Sequence, residues 1–369
     1  GMAGFPFMKQ AEAFRSSLPF ILLLAVFILP CPMSAAAKPR PAIAFVHLLL
    51  PPGGEPHASP AGWIGSLDRA RDTLESLRIP TIVSSASPRN AEDLNELSEM
   101  DPEVLITTSP LLYAAACDVA KRSPNTVFFA CTDETVHDNM SGFQARTYEA
   151  HYLAGLIAGA LSEDGVIGYL ANDPYQSKAS RLRNANAFTL GAQKSKAAIR
   201  VLYAPGNDPD EELKTLIAAG ADIVDLERAL PSLVERLREH SVRYVGTAGR
   251  TVDPLCLAAP EWEWSNAFGD LLTQVRFGIW RPRNVSYGIK EGVVGLSPFG
   301  PAVPETVRVR VREAKEAIRN GASPFEGPVR DVSGSLRIAE GSVPDDATLR
   351  GMDWRVQGLE PLPLTPDGL

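Results

Sequence analysis

Short apolar runs alternate with amphipathic stretches from about residue 42 onward. Four runs predict strands: AIAFVHL (42–48), TIVSS (81–85), EVLITT (103–108) and TVFFAC (126–131). Stretches with apolar residues at helical spacing lie between them, at 61–77, near 91–97 and near 111–122. The resulting βαβαβαβ order is typical of a parallel sheet whose strands are joined by crossover helices.

The same order restarts further along the chain. Strands are predicted at 165–171, 199–204, 221–227 and 242–247, and helices at 178–194, 210–219 and 231–239. Each unit has a full set of strands, so the pattern predicts two α/β lobes rather than one continuous sheet. A cleft between two such lobes is a common place for a small-ligand site.

The segment between the units, ARTYEAHYLAGLIAGALSEDGVIGYLA (145–171), contains the small-xxx-small pair Gly155 and Gly159. Its uninterrupted apolar part is much shorter than the roughly 20 residues that a membrane span needs. We therefore expect a soluble helix whose two glycines pack closely on the second sheet. Further helices are predicted at 262–277 and 305–320, on either side of the glycine-rich YGIKEGVVGLSPF (287–299).

The N-terminus predicts export. Lys9 and Arg15 precede the apolar run 18–33 and the small residues SAAA, so we expect a signal peptide over residues 1–37 that is cleaved after Ala37. Localisation would then be periplasmic or otherwise extracytoplasmic. Cys31 raises the alternative of a lipid anchor, although Pro30 stands where such signals place a small residue.

Composition narrows the function classes. The chain has 369 residues, enough for two domains, and its formal net charge of −8 argues against nucleic acid as a partner. Beyond Cys31 only Cys117, Cys131 and Cys256 remain, which can form at most one bridge, such as Cys117–Cys131, or be buried thiols. Common catalytic motifs are absent, and the five histidines never share metal-ligand spacing. We therefore predict no enzyme, cofactor or metal.

Candidate ligand contacts lie near the predicted carboxyl ends of strands, where doubly wound sheets bind ligands. The aromatic candidates are Trp63, Tyr175, Trp262 and Trp264, on which a planar ligand would stack, although core packing would explain each ring by itself. The polar candidates are Thr108, Ser109, Glu227 and Arg250. Capping of the following helix would also explain Ser109, and a solvated loop position would explain either charge.

Several blocks resemble one known family. They are the segment 145–171, NAFTLGA (186–192), YGIKEGVVGLSPFGPAVP (287–304), PFEGPVRD (324–331) and MDWRVQG (352–358). Together they resemble the basic membrane protein (BMP) family, the substrate-binding proteins of bacterial ABC transporters. The resemblance implies a type I periplasmic binding fold, two α/β lobes joined by crossover strands. It also implies purine nucleosides or nucleobases as ligands and an ABC permease as partner.

The resemblance also assigns residues. It implies that Trp63 stacks on a base, that Thr108, Ser109 and Tyr148 contact the ligand, and that Trp262 and Lys290 lie at the site. Two blocks depart from the family. GGEPHASPAGW lacks the usual aspartate before Gly-Trp, and GTAGRTVD carries Arg250 near an expected acid. Arg250 would suit an acceptor-rich or anionic ligand.

These observations together predict an exported solute-binding protein that captures a small planar heterocycle by hinge closure and delivers it to an ABC importer. We expect one lobe from residues 42–147 plus about 258–284, and a second from 148–257 plus about 285–330. Residues 331–369 would form an extension packed on the lobes. A periplasmic sensor that engages a membrane receptor, or an enzyme on the same fold, are the alternatives.

Overall fold

A computed structural model of the chain describes residues 40–48, 62–87, 92–132, 134, 137–246 and 253–363. The first part of the chain alternates strands and helices as the apolar pattern predicts. Its strands are β1 Ile43–Leu48, β2 Thr81–Ala86, β3 Val104–Thr107, β4 Val127–Cys131 and β5 Met140–Ala145. Its helices are α1 Gly62–Ser76, α2 Glu92–Glu99 and α3 Tyr113–Ala120, and the 3₁₀ turn Pro110–Leu112 precedes α3.

The second part repeats this alternation. Its strands are β6 Val166–Leu170, β7 Arg200–Ala204, β8 Ile223–Leu226, β9 Arg243–Val245 and β10 Cys256–Ala258. Its helices are α4 Tyr148–Leu161, α5 Lys178–Ser195, α6 Pro209–Ala218 and α7 Pro231–Glu239. The last part contains short elements: β11 Pro260–Trp262, α8 Ser265–Arg276, β12 Asn284–Tyr287, β13 Val294–Leu296, α9 Glu305–Arg319, β14 Val329–Arg330, β15 Leu336–Ile338, α10 Asp346–Arg350 and β16 Leu359–Pro361.

Two six-stranded parallel sheets organise the described residues. The first has the order β12-β5-β4-β3-β1-β2, and the second has the order β10-β9-β8-β6-β7-β16. Each order reverses beside its first strand, which is the mark of a doubly wound sheet. The predicted two-lobed α/β fold is therefore confirmed.

Continuous apolar strands explain the cores, because parallel strands are covered by helices on both faces. In the first lobe Phe129 stacks on Phe143 with centroids 4.5 Å apart, and Phe268 of α8 lies edge-on to Phe143 at 6.1 Å. These contacts place α8 on the first sheet, although α8 follows the second sheet in sequence. The polar composition of β5, MSGFQA, hid this strand from the hydrophobic pattern.

Gly155 and Gly159 lie on the face of α4 that meets α5. A Cβ atom on Gly155 would lie 2.9 Å from the carbonyl carbon of Phe188, and one on Gly159 would lie 2.7 Å from Cα of Ala192. Both glycines are buried, as predicted, but their neighbour is a helix rather than the sheet. Among the described residues, none of the helices is long and apolar enough to span a membrane.

The chain passes between the lobes three times, after β5, around β11 and after β12. Arg146 joins the first and third of these passages, because its Nη1 donates to the carbonyl of Ser286 at 2.8 Å and its Nε donates to Glu149 at 2.7 Å. Its Nη2 donates to Glu291 at 2.6 Å. Glu149 also accepts from the backbone N–H of Ile289. This network ties the first passage between the lobes to the third.

The C-terminal segment is fastened to the second lobe. β16 pairs with β7 at the edge of the second sheet. The buried Asn186 side chain donates to the carbonyl of Trp354 at 2.8 Å and accepts from the backbone N–H of Val356 at 3.0 Å. Cys117, Cys131 and Cys256 form no disulfide bond in the described part of the chain, so the bridge left open by the sequence is not formed.

Candidate ligand-binding site

A narrow crevice lies between elements of the two lobes. Four side chains of the second lobe form its polar wall: Asp173, Gln176, Asn184 and Glu227. The opposite wall consists of residues from the inter-lobe passages and the start of α4: Thr147, His151, Pro260 and Trp262. Asp173 and Glu227 follow the carboxyl ends of β6 and β8, the edge at which doubly wound sheets bind ligands.

Trp262 supplies the aromatic surface of the crevice. Its indole N–H donates to the hydroxyl of Thr147 at 3.1 Å, which orients the ring. Trp63 lies behind it, edge-on to Trp262 at 5.6 Å and to Trp264 at 5.4 Å. The indole N–H of Trp63 donates to the carbonyl of Thr108 at 2.7 Å. The structure therefore brings Trp63, Thr108, Trp262 and Trp264 together in one cluster. Trp262 belongs to β11 and Trp264 precedes α8, so the predicted helix start at 262 is wrong.

The predicted hydroxyl groups of the first lobe are used within the protein. The Thr108 hydroxyl donates to the carbonyl of Val46 and lies 3.1 Å from Nδ1 of His47. The Ser109 hydroxyl accepts from the backbone N–H of Leu111, so Ser109 caps the 3₁₀ turn. Both residues are completely buried.

The remaining predicted residues are dispersed. The ring centroids of Tyr148 and Phe325 are 5.4 Å apart. The guanidinium carbon of Arg183 lies 5.9 Å from the ring centroid of Tyr148. Tyr175 is buried after β6, and its hydroxyl has no hydrogen-bond partner in the described part of the chain. Lys290 is exposed in the turn after β12. Arg250 lies outside the described residues.

A side-chain clamp positions the acidic wall. Asn172 donates to the carbonyl of Arg228 at 2.8 Å and accepts from its N–H at 2.9 Å. This pairing ties the loop after β6 to the loop after β8 and brings Asp173 beside Glu227. Glu227 accepts from the hydroxyl of Tyr169 at 2.8 Å. Burial raises the pKa of Glu227 to about 7, against the opposing charge of His151.

His151 brings an ion pair to the crevice. Its Nδ1 lies 3.0 Å from the buried carboxylate of Asp225. Burial works to lower the pKa of His151, but Asp225 raises that pKa above its ordinary value. Within the described ranges no group of three or more His, Cys, Asp or Glu side chains is arranged to hold a metal ion. The crevice is thus equipped for hydrogen bonding and ring stacking.

The sequence reasoning missed Asp173 and His151. Asp173 comes three residues after the buried end of β6, and Glu227, which the sequence did single out, comes directly after β8. His151 is one of two polar side chains in the otherwise apolar first half of α4, together with Glu149. An ionisable residue in an apolar helix could have marked His151 as a candidate site residue. Its partner Asp225, however, lies 74 residues further along the chain.

Comparison with known proteins bears on these observations. A family model described as "ABC transporter substrate-binding protein PnrA-like", the Bmp model, matches residues 66–218. A purine-binding protein of Brucella abortus is 28% identical over 346 residues, covering 89% of this chain and 95% of its own. Residues 66–218 are thus similar to the BMP family. This similarity agrees with the resemblance seen in the sequence, and the matched family is one of substrate-binding proteins rather than enzymes.

Two other similarities are to solute-binding proteins. A putative ABC transporter glucose-binding protein of Haloferax volcanii is 28% identical over 310 residues, covering 77% of this chain and 78% of its own. The crystal structure of an ABC transporter solute-binding protein from Conexibacter woesei superposes with a TM-score of 0.59 at 17% identity. It covers 76% of this chain and 97% of that protein. The fold is therefore the type I periplasmic binding fold.

Proposed function

We propose that this chain is the ligand receptor of an ABC importer and that it binds a purine or a related planar heterocycle in the crevice. The observation that carries the proposal is the indole of Trp262, which lines a crevice whose other walls, apart from Pro260, consist of polar side chains. Flat rings stack on such a surface, while a few polar groups fix their orientation. The similarity to a purine-binding protein supports the same ligand class.

Capture would follow from the position of the crevice. A ligand that touches Trp262 and the second-lobe wall contacts both sides, so it stabilises the closed arrangement. The units that move would be residues 42–147 with about 265–287, and residues 148–257 with about 288–330, accompanied by the C-terminal segment. β12 sets the end of the first unit, because it pairs with β5. The Arg146 network lies between these units and would be the hinge.

Trp63 and Thr108 would act through Trp262 in this arrangement. The Thr108 carbonyl holds the indole of Trp63, and the edge of Trp63 in turn packs against Trp262. Export by a signal peptide over residues 1–37 would bring the protein to the same compartment as the outer face of its permease.

A ligand screen with ring variants tests the proposal. Thermal unfolding should shift upward with adenine or adenosine, because a ligand that binds only the folded state stabilises it. Trp262→Ala should weaken that binding about tenfold or more through the lost stacking surface, whereas Trp262→Phe should retain most of it. Trp354→Ala is the control, since that ring stacks below Arg337 and does not line the crevice.

Glucose belongs in the same screen, because one relative is named as a glucose-binding protein. A shift with glucose and none with any purine would contradict the proposed ligand class. Equal binding by the wild type and Trp262→Ala would contradict the proposed site.

A further inference from the structure

The acidic wall of the crevice has acceptors that the protein leaves unused. Asp173 is only 7% exposed, yet its side chain lines the crevice. Its Oδ1 accepts from the backbone N–H of Tyr175 at 3.0 Å, and its Oδ2 has no hydrogen-bond partner in the part of the chain that the structure describes. This oxygen can therefore accept a hydrogen bond from a donor on a ligand in the crevice.

Glu227 is in a similar condition. Its Oε1 accepts from Tyr169, whereas its Oε2 is only 3.4 Å from the backbone N–H of Asp173, a long hydrogen bond. Both carboxylates therefore have capacity for a donor that comes from the crevice.

Nearby charges do not fill that capacity. The charged and titratable groups that act on the two carboxylates come from several elements: His151 on α4, Tyr169 on β6, Arg181 on α5, Tyr203 on β7, Asp225 on β8 and Arg228 after it. The His151 Nδ1 is engaged by Asp225, and Arg181 donates to the carbonyl groups of Ala171 and Pro205. None of the three cations, His151, Arg181 and Arg228, hydrogen-bonds through its side chain to Asp173 or Glu227 among the described residues.

We propose that Asp173 and Glu227 select the ligand by its hydrogen-bond donors, so that the crevice accepts an uncharged or cationic donor-bearing compound and rejects an anionic one. This inference rests on the proposed function and names the chemistry of its ligand. It differs from the expectation that Arg250 raised, namely an acceptor-rich or anionic ligand. The donors are either the N–H groups of a base or the hydroxyl groups of a sugar, and both present the same chemistry to a carboxylate.

Binding should then depend on pH. Burial raises the pKa of Asp173 to about 6, despite the backbone N–H of Tyr175, and that of Glu227 to about 7. A ligand donor favours the ionised carboxylate, so binding lowers both pKa values and releases protons between about pH 6 and 7. Affinity consequently rises with pH through this range and levels off above it. Asp225 raises the pKa of His151, which also lines the crevice, so isosteric variants of the two carboxylates are needed to assign the pH dependence to them.

The experiment measures dissociation constants by calorimetry at pH 5.5 and 7.5 for adenine, adenosine, glucose and adenosine monophosphate. We expect the donor-bearing neutral compound that binds to weaken roughly tenfold or more at pH 5.5, since a pKa near 7 must be overcome. Adenosine monophosphate should bind at least about tenfold more weakly than adenosine at pH 7.5, because like charges in a buried site repel. Adenine against adenosine distinguishes base donors from sugar donors.

Isosteric variants identify the groups responsible. Glu227→Gln and Asp173→Asn keep the side-chain shape but cannot ionise, so each should weaken binding at pH 7.5 and flatten part of the pH profile. Glu239→Gln, on the exposed last turn of α7, is the matched control and should behave as the wild type.

Each outcome decides between the proposals. Three results with a purine ligand would overturn the proposed selection by donors (the donor rule) and leave the proposed function standing. They are binding without pH dependence, a full pH profile in both isosteric variants, and tighter binding of adenosine monophosphate than of adenosine. Binding of glucose alone, with the expected pH profile, would support the donor rule and overturn the purine assignment. Absence of binding by all four compounds at both pH values would overturn both.

Discussion

The close contact between α4 and α5 can be tested by replacing a glycine of the small-xxx-small motif with alanine. In Gly155→Ala the added Cβ would lie 2.9 Å from the carbonyl carbon of Phe188 and 3.0 Å from the amide nitrogen of Ala192. Both atoms are backbone of α5, so no side chain can rotate away and the two helices must separate. Gly269 of α8 is the matched control, because a Cβ there would have no atom within 4 Å.

The two substitutions should change the free energy of unfolding in opposite directions. Alanine gains about 0.5–1 kcal/mol over glycine in a helix interior, through the lower conformational entropy of the unfolded chain. Overpacking a well-packed site costs about 1–3 kcal/mol. We therefore expect Gly269→Ala to raise the free energy of unfolding by about 0.5–1 kcal/mol and Gly155→Ala to lower it by up to about 2.5 kcal/mol, the largest difference of these terms.

Urea unfolding followed by far-ultraviolet circular dichroism measures both values, and the double variant should show their sum because the sites lie in different lobes. A stabilising effect of Gly155→Ala equal to that of Gly269→Ala would refute the close helix contact. In that case the motif would need another explanation.

Three further predictions concern the hinge, the C-terminal segment and the acidic wall. Arg146→Met should lower the free energy of unfolding by about 3 kcal/mol, since it leaves the buried Glu149 without its cation. The double variant with Glu149→Gln should recover part of that loss in a double-mutant cycle, and no recovery would argue against direct coupling. Asn186→Ala should cost about 1–3 kcal/mol by leaving the backbone groups of Trp354 and Val356 unpaired. Hydrogen exchange should then quicken in residues 352–361, and unchanged exchange there would contradict the fastening role. Glu227→Gln should stabilise the unliganded protein at pH 8 by up to about 3 kcal/mol. The reason is that folding raises the pKa of the Glu227 carboxyl from 4.5 to about 7, so ionisation of this group costs stability. This cost begins above pH 4.5 and is complete above pH 7. Melting curves of both forms should therefore converge near pH 4.5, and a constant difference at all pH values would contradict this cause.

Much of the fold was predictable, because parallel strands covered on both faces must be continuous apolar runs. The runs at 42–48 and 165–171 became β1 and β6 with changes of one residue at their ends. β5 was not predicted from the sequence, because MSGFQA has neither a continuous nor an alternating apolar pattern. The strand is buried by the elements that cover it. β11 escaped for another reason, since its partner β13 lies more than 30 residues away in sequence.

The site was harder to predict than the fold. Trp262 and Glu227 stood out from the sequence, and both line the crevice. The Asp225–His151 pair depends on a contact across 74 residues, and the pairing of Asp173 with Glu227 depends on the Asn172 clamp between two loops. No local pattern records such contacts. Gly155 and Gly159 likewise pack against α5, whereas the sequence predicted that they pack against the sheet.

A crystal structure of the protein with its tightest-binding purine tests the central claim most directly. The account predicts one purine ring against the indole of Trp262, with its donors directed at Asp173 and Glu227. A purine bound outside the crevice, or a crevice that stays empty at concentrations saturating in solution, would contradict it.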